Sequence, residues 1–154
     1  INLLPANLYG PFDKFDADNS HVISAMIKKF SLAKKKKLNE VIFYGTGNTI
    51  REFIHVDDCA EGIVKATEKY NSTEPLNLGT GKGVKIKELA KKIAKLIEFD
   101  GEIYWDKKIE DGAKIKVLSN LKMKKQLQWK PKINLDEGLK KLILNLNKRN
   151  FFNG

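Results

Sequence analysis

Two short apolar runs in this chain end on the same tripeptide. Residues 41–44 close at Gly45-Thr46-Gly47, and residues 76–78 close at Gly79-Thr80-Gly81. β-Branched and aromatic residues in short runs bounded by glycine predict strands. Further short strands are expected at residues 2–4, before the turn at Tyr9-Gly10-Pro11, at 53–56, and at 102–105 after the turn Asp100-Gly101. Helical spacing fills the intervals. Val22, Ile23, Met26, Ile27, Phe30 and Ala33 follow a cap at Asn19 or Ser20. Asp57 or Asp58 caps a second helix, whose expected apolar face is Ala60, Ile63, Val64 and Thr67. Ile86, Leu89, Ala90, Ile93 and Ile97 form one stripe; residues 120–127 predict a short helix, and Leu135, Leu139, Leu142, Ile143 and Leu146 a last one, with a frayed tail from Asn147. The pattern is mixed α/β, short strands with longer helices.

The length of 154 residues suits one domain with a real core, and 42% hydrophobic content fits a soluble globular protein. No apolar run is long enough to span a bilayer. The start, Ile1-Asn2-Leu3-Leu4-Pro5, has no basic n-region and reads as a cut through a larger chain. One cysteine, Cys59, excludes an internal disulfide and fits a reducing cytoplasm. The net charge of +10 is almost all lysine, with arginine only at Arg51 and Arg149. Nucleic-acid surfaces usually mix arginine and aromatics with lysine. The excess is therefore read as solvated lysine, and Lys34 to Lys37 suit a helix C-terminus.

Gly79-Thr80-Gly81-Lys82-Gly83 lies between a strand and a helix, but its spacing is neither the dinucleotide fingerprint nor a P-loop, so it reads as a tight turn. Gly45-Thr46-Gly47 also reads as a turn, one near a ligand. No metal site is visible: His21 and His55 stand in no ligand spacing. His55, inside Phe53-Ile54-His55-Val56, is expected to be structural. His21 starts a helix after a polar segment, where a cap neighbour and a catalytic group are both open.

Pro5-Ala6-Asn7-Leu8-Tyr9-Gly10-Pro11 is similar to the P-T-N-L-Y-G-P signature of extended short-chain dehydrogenases acting on nucleotide sugars. Asp13-Lys14-Phe15 and Asn19-Ser20-His21-Val22-Ile23 resemble the D-N-F and S-H-V-I-P segments of the GDP-L-fucose synthase branch. Arg51-Glu52-Phe53-Ile54-His55-Val56-Asp57-Asp58 matches its R-E-F-x-H-V-D-D, and Asn77-Leu78-Gly79-Thr80-Gly81, Asp111-Gly112 and Leu127-Gln128-Trp129 follow in order. The resemblance covers essentially the whole chain. It implies the C-terminal, substrate-binding part of a Rossmann-type fold, with residues 1–19 as the tail of the dinucleotide-binding domain, 20–150 as the substrate domain and 151–154 as a frayed tail.

The chemistry the resemblance implies is epimerisation of GDP-4-keto-6-deoxy-mannose and reduction with NADPH. The 4-keto group acidifies the neighbouring C–H bonds, so one group removes a proton and another returns it. His21 matches the acid, and an imidazole with an ordinary pKa of about 6.5 suits that work. Pro5, Ala6, Asn7, Leu8 and His21 match the stretch at the nicotinamide end of NADP(H). Asn7, Lys29, Tyr44, Arg51 and Asp111 match substrate positions: Arg51 for the diphosphate, Lys29 for the nucleotide, Tyr44 for packing on a base or sugar, Asp111 for sugar or ribose hydroxyls. Cys59 is expected in the core. The implied partners are a GDP-sugar, the N-terminal Rossmann half and, for the intact protein, a second copy, in the cytoplasm, without nucleic acid or membrane.

This sequence departs from the family at Ser24, which replaces a helix proline, at Ile109-Glu110, at Ala113-Lys114-Ile115 and at Ser119. A related GDP-linked sugar, such as a 4-keto-deoxy-heptose, is compatible with that. No G-x-x-G-x-x-G loop is present, and the one literal Y-x-x-x-K match, Tyr104 to Lys108, falls on an expected strand, whereas the catalytic pair needs one helix face. The chain alone is therefore expected to transfer no hydride. The alternatives are another nucleotide-sugar epimerase, a non-catalytic sugar-nucleotide module and a basic nucleic-acid-binding domain.

Overall fold

The chain changes sheets within its first nine residues. In the computed structural model, which describes residues 1–15 and 20–151, β1 (Leu3–Pro5) and β2 (Asn7–Tyr9) are separated only by Ala6. β1 pairs in parallel with β5 (Leu76–Leu78), whereas β2 pairs in parallel with β4 (Ile50–His55). β4 is long enough for two roles. Its second half holds β2; its first half holds antiparallel β6 (Gly83–Lys85) and parallel β8 (Ile115–Lys116). A separate parallel pair joins β3 (Glu40–Tyr44) to β7 (Glu102–Asp106). The strands are those expected, shifted by up to three residues, plus β2, β6 and β8, whose two or three residues carry no periodicity of their own.

Helix α1 (Val22–Lys35) buries Ile23, Met26, Ile27, Phe30 and Ala33, and its last turn carries Lys34 and Lys35, which favour the negative end of the dipole. His21, not Ser20, holds the cap position; Asn19 lies outside the described residues. The Ser24 hydroxyl, fully buried, donates to the Asp13 carboxylate and ties the helix start to the preceding loop. Helix α3 (Ile86–Ile97) buries Leu89, Ala90, Ile93, Ala94 and Ile97 as the stripe requires. It packs with α1 and with α5 (Leu135–Lys148) over β3, β7 and the second half of β4, forming the larger core. Helix α5 is capped by Asn134, which accepts the Glu137 N–H at 3.0 Å. It continues past Asn147, and the Phe151 ring packs at a tilt against Phe15, 4.7 Å between centroids; residues 152–154 are outside the described set.

Helix α2 (Val56–Lys69) differs from expectation on two counts. Its cap is His55, whose Nδ1 accepts the Asp57 N–H at 3.2 Å. Its packed face is Asp58, Cys59, Gly62 and Ala66, whereas Ala60, Ile63, Val64 and Thr67 are exposed. Close approach decides the rotation. A Cβ at Gly62 would lie 3.0 Å from the Trp129 ring, so the bare backbone is what lets Trp129 seat. Asp58 faces inward because its carboxylate takes the N–H groups of Lys132 at 3.0 Å and Ile133 at 2.8 Å. With α4 (Leu121–Leu127), β1 and β5, this face forms a second, smaller core containing Ile54, Leu76, Leu78, Met123 and Leu127.

Candidate functional site

The change of sheet at Ala6 opens a cleft. Ala6 gives its N–H to the Leu78 carbonyl at 2.9 Å, and one residue later Asn7 is in register with Phe53 of the other sheet. The cavity beside this step has a volume of about 320 Å³. It is lined by Pro5, Ala6, Asn7 and Leu8, by His21, Val22 and Ile23 at the head of α1, and by Arg51 and Phe53 of β4. Six of the residues singled out in the sequence thus meet around one space.

The local chemistry of each follows from its backbone. His21 is extended (φ −68°, ψ 162°), and its side chain makes no cap hydrogen bond, so the imidazole is not spent on the helix. Asn7 Nδ2 donates to the Glu52 carbonyl at 2.7 Å. A carbonyl only accepts, which fixes the amide orientation and leaves Asn7 Oδ1 as an acceptor for a hydroxyl or amide. Arg51, half-buried, gives one Nη1–H to the Ile50 carbonyl at 2.8 Å and keeps the rest of its donor fork.

Lys29, Tyr44 and Asp111 do not line this cavity; they continue from it along one path. Gly112 is next to Arg51: a Cβ there would lie 3.9 Å from Arg51 Nη2. Asp111 accepts the Thr46 N–H at 3.0 Å and the Thr46 hydroxyl. Those donors, together with the Arg51 charge, hold its carboxyl below the ordinary aspartate range. Gly45, at φ +83°, has to be glycine here, since a Cβ would come within 2.3 Å of Asp111 Oδ1. Next to it stands Tyr44, 66% exposed, with Lys29 Nζ 5.6 Å from its ring centroid and 5.1 Å from that of Phe43. Lys29 also donates to the Ile42 carbonyl, and burial lowers its pKa. It is not simply another solvated lysine.

The residue that motif reading passed over is Glu52. It is 1% exposed and inside a strand. Oε1 takes the Gly81 N–H at 2.8 Å and the Thr80 hydroxyl at 3.1 Å; Oε2 takes the Leu118 N–H at 2.6 Å. The second glycine cluster therefore does cradle an anion, but the anion is the protein's own carboxylate. A charge in the middle of an apolar run was the available signal: buried carboxylates persist only where donors satisfy them. His55 is structural, 1% exposed and edge-on to Tyr9 at 5.4 Å. Cys59 is buried in the smaller core. Tyr104 lies on β7 with its hydroxyl on Glu102, so the Tyr104–Lys108 pair shares no helix face. Among the described residues no group of three metal-ligating side chains comes together, and no helix is long and apolar enough to cross a membrane.

Residues 1–79, which contain β1, β2, α1, β4 and His21, Arg51 and Asn7, match the NAD dependent epimerase/dehydratase family. The chain belongs to that family. Within the NAD dependent epimerase/dehydratases it is 42% identical over 139 residues to a probable GDP-L-fucose synthase 1 of Oryza sativa subsp. japonica, an alignment covering 90% of this chain and 42% of that one. The chain thus spans under half the length of this relative. A solved GDP-6-OMe-4-keto-L-xylo-heptose reductase from C. jejuni superposes with a TM-score of 0.86 at 26% identity, over 97% of this chain and 54% of the reductase. A GDP-L-fucose synthetase from Naegleria fowleri bound to NADP reaches a TM-score of 0.89 over 97% of this chain and 46% of its own; at 24% identity this is a likeness of fold. The expected mixed α/β architecture, with parallel strand pairs and helices, is the one observed.

Proposed function

We propose that this chain is the sugar-nucleotide side of an NADPH-dependent epimerase/reductase acting on GDP-4-keto-6-deoxy-mannose or a close GDP-4-keto-deoxy sugar. The observation that carries the reading is the convergence of His21, Asn7 and Arg51 on one cleft at the sheet change. It fits a ligand that is anionic at one end and carries hydroxyls at the other. Arg51 binds the diphosphate with its fork. Asn7 Oδ1 accepts from a sugar hydroxyl or the nicotinamide amide. Tyr44 and Lys29 take the nucleotide end, and Asp111 accepts from ribose or sugar hydroxyls. His21 delivers a proton to the carbon beside the keto group, while the opposing base belongs to polypeptide outside this chain.

The residues fit the nicotinamide end of NADP(H). Pro5, Ala6 and Leu8 offer an apolar edge, Asn7 an acceptor and His21 an uncapped imidazole, with no carboxylate among the cavity's lining residues. When bound, the cofactor supplies a hydride to the keto carbon. The remaining cofactor contacts, and dimer contacts between copies, are assigned to an N-terminal Rossmann half. A single, buried cysteine supports a reducing cytoplasm as the setting.

The polypeptide carrying this chain, given NADPH and either GDP-4-keto-6-deoxy-mannose or a GDP-4-keto-deoxy-heptose, is expected to oxidise NADPH. His21→Asn is expected to slow incorporation of solvent deuterium beside the keto group by roughly 10²–10⁴-fold with little change in GDP affinity. Absence of NADPH oxidation with both sugars removes the proposal, and so does undiminished exchange in His21→Asn for the role of His21.

A further inference from the structure

We propose that Asp13, acting through Ser24, is a positioning residue for His21: it secures the start of α1 from the preceding loop and leaves the imidazole at the cap position free for the cleft. The inference rests on the reading of His21 just given and extends it to a pair outside the cavity lining.

The chain carries its own comparison. Helices α1 and α2 both have histidine at the N-cap, with similar backbones: φ −68°, ψ 162° at His21 and φ −66°, ψ 143° at His55. His55 Nδ1 accepts the Asp57 N–H at 3.2 Å, so that imidazole is spent on its helix. His21, in the same extended conformation, makes no cap hydrogen bond and is exposed. Backbone conformation therefore does not decide which use the ring is put to.

The groups that reach each helix start differ. At α2 the inward carboxylate, Asp58, is committed to the N–H groups of Lys132 and Ile133, and the imidazole does the capping. At α1 the first turn has no acidic residue of its own, although its free N–H groups and the positive end of the dipole favour one. Asp13 brings one in from the loop. Its Oδ2 accepts the hydroxyl of Ser24, the third residue of α1, and its Oδ1 accepts the Lys14 N–H at 2.8 Å. Ser24 is fully buried, so a hydroxyl deprived of this acceptor has no solvent to turn to. A proline at position 24 has no hydroxyl to donate, which makes the tie a property of this sequence.

The loop is held on both sides of Asp13. Arg149 Cζ lies 4.9 Å from the centroid of the Phe12 ring, and Phe15 packs against Phe151 with 4.7 Å between centroids. Both partners come from the end of α5. The carboxylate thus arrives at α1 from a fixed direction, and His21 is left with no helix N–H to serve.

The test uses the full polypeptide with its GDP-4-keto sugar and follows solvent deuterium incorporation beside the keto group. Asp13→Ala is expected to lower the maximal rate about tenfold, with the KM for the sugar nucleotide within about twofold of wild type. Ser24→Ala should show the same split. Asp13→Asn, which keeps an oxygen for the Ser24 hydroxyl, should recover most of the rate. In a His21→Asn background, Asp13→Ala should cost nothing further, because it acts through the imidazole it positions. Side-chain nitrogen NMR at about pH 8.5, where an ordinary imidazole is neutral, reads the ring without turnover. In Asp13→Ala the His21 Nδ1 resonance should move toward that of His55 as the imidazole takes over the cap. A wild-type rate in Asp13→Ala overturns the assignment; so does a further tenfold loss in the double variant, or an unmoved His21 resonance. Each of these leaves the functional reading standing. Undiminished exchange in His21→Asn instead removes the role of His21, and this proposal with it.

Discussion

Burial favours the neutral form of the His55 imidazole. The ring is 1% exposed, and desolvation lowers its pKa from the ordinary value despite the opposing pull of Asp57 and Asp58. Because Nδ1 accepts the Asp57 N–H, the proton of the neutral ring sits on Nε2, and Nε2 is buried without a partner. Charging the ring means protonating Nδ1 and giving up the cap of α2. The unfolded chain titrates near 6.5 and the folded chain lower, so between those two pKa values the unfolded state binds the extra proton. Stability is then complete above about pH 6.5 and declines as pH falls below it, levelling off once the folded-state pKa is passed. Melting temperatures measured from about pH 7.5 down to about pH 5 should show this decline. His55→Asn, which keeps a cap acceptor but does not titrate, should show a shallower one; parallel profiles would remove His55 as the cause. The same scale shows how far single residues can be read from sequence. Histidine inside an apolar run announces a structural group. Glu52, one strand position past an arginine, shows only as a charge in an otherwise apolar run, and its role is clear once its three donors are seen arriving from residues 80, 81 and 118.

At the scale of elements, legibility follows the size of the side chains that do the packing. The α3 stripe is built of leucine and isoleucine with one alanine, Ala90, and all but Ile86, which is half-buried, point inward as expected. In α2 the buried face is marked by small residues, Cys59, Gly62 and Ala66, because Trp129 brings the bulk from elsewhere. The large residues Ile63 and Val64 are 46% and 53% exposed. A rule that ranks positions by hydrophobicity selects the wrong face. The consequence is testable: Gly62→Ala forces a methyl against the Trp129 ring and should cost about 1–3 kcal/mol, whereas Ile63→Lys in this chain should stay within about 0.5 kcal/mol. Urea midpoints in the reverse order would restore the expected face. Strands β6 and β8 were invisible for a different reason. Their two or three residues are strands only because β4 is there to pair with, and partner choice is not a property of the segment itself.

For the whole molecule, the order of the motifs is readable directly, their meeting at one cleft only through the family resemblance, and the change of sheet that builds the cleft not at all. The run from Pro5 to Leu8 looks like one continuous segment, yet its two ends belong to different sheets, and the cleft exists because of that division. The same division leaves β1 and β5 as a parallel pair with only one covered face. Leu3 and Ala6 pack on the smaller core, while Leu4, the residue between Leu3 and Pro5, is 50% exposed and Ile1 57%. Parallel strands are stable where both faces are covered, and two strands alone are marginal. On the function proposed above, the bare face of β1 and β5 is where the dinucleotide half packs, and the cleft gains its cofactor wall at the same contact. Amide exchange should report this directly. In the 154-residue chain alone, the amides of β1 and β5 should exchange much faster than those of α3, which lies in the larger core. In the full polypeptide they should reach comparable protection, and Leu4→Asp should return them to fast exchange while leaving α3 unchanged. Equal protection of β1 and α3 in the 154-residue chain would mean that the pair is already complete, and that the cleft is not built across a joint between two halves.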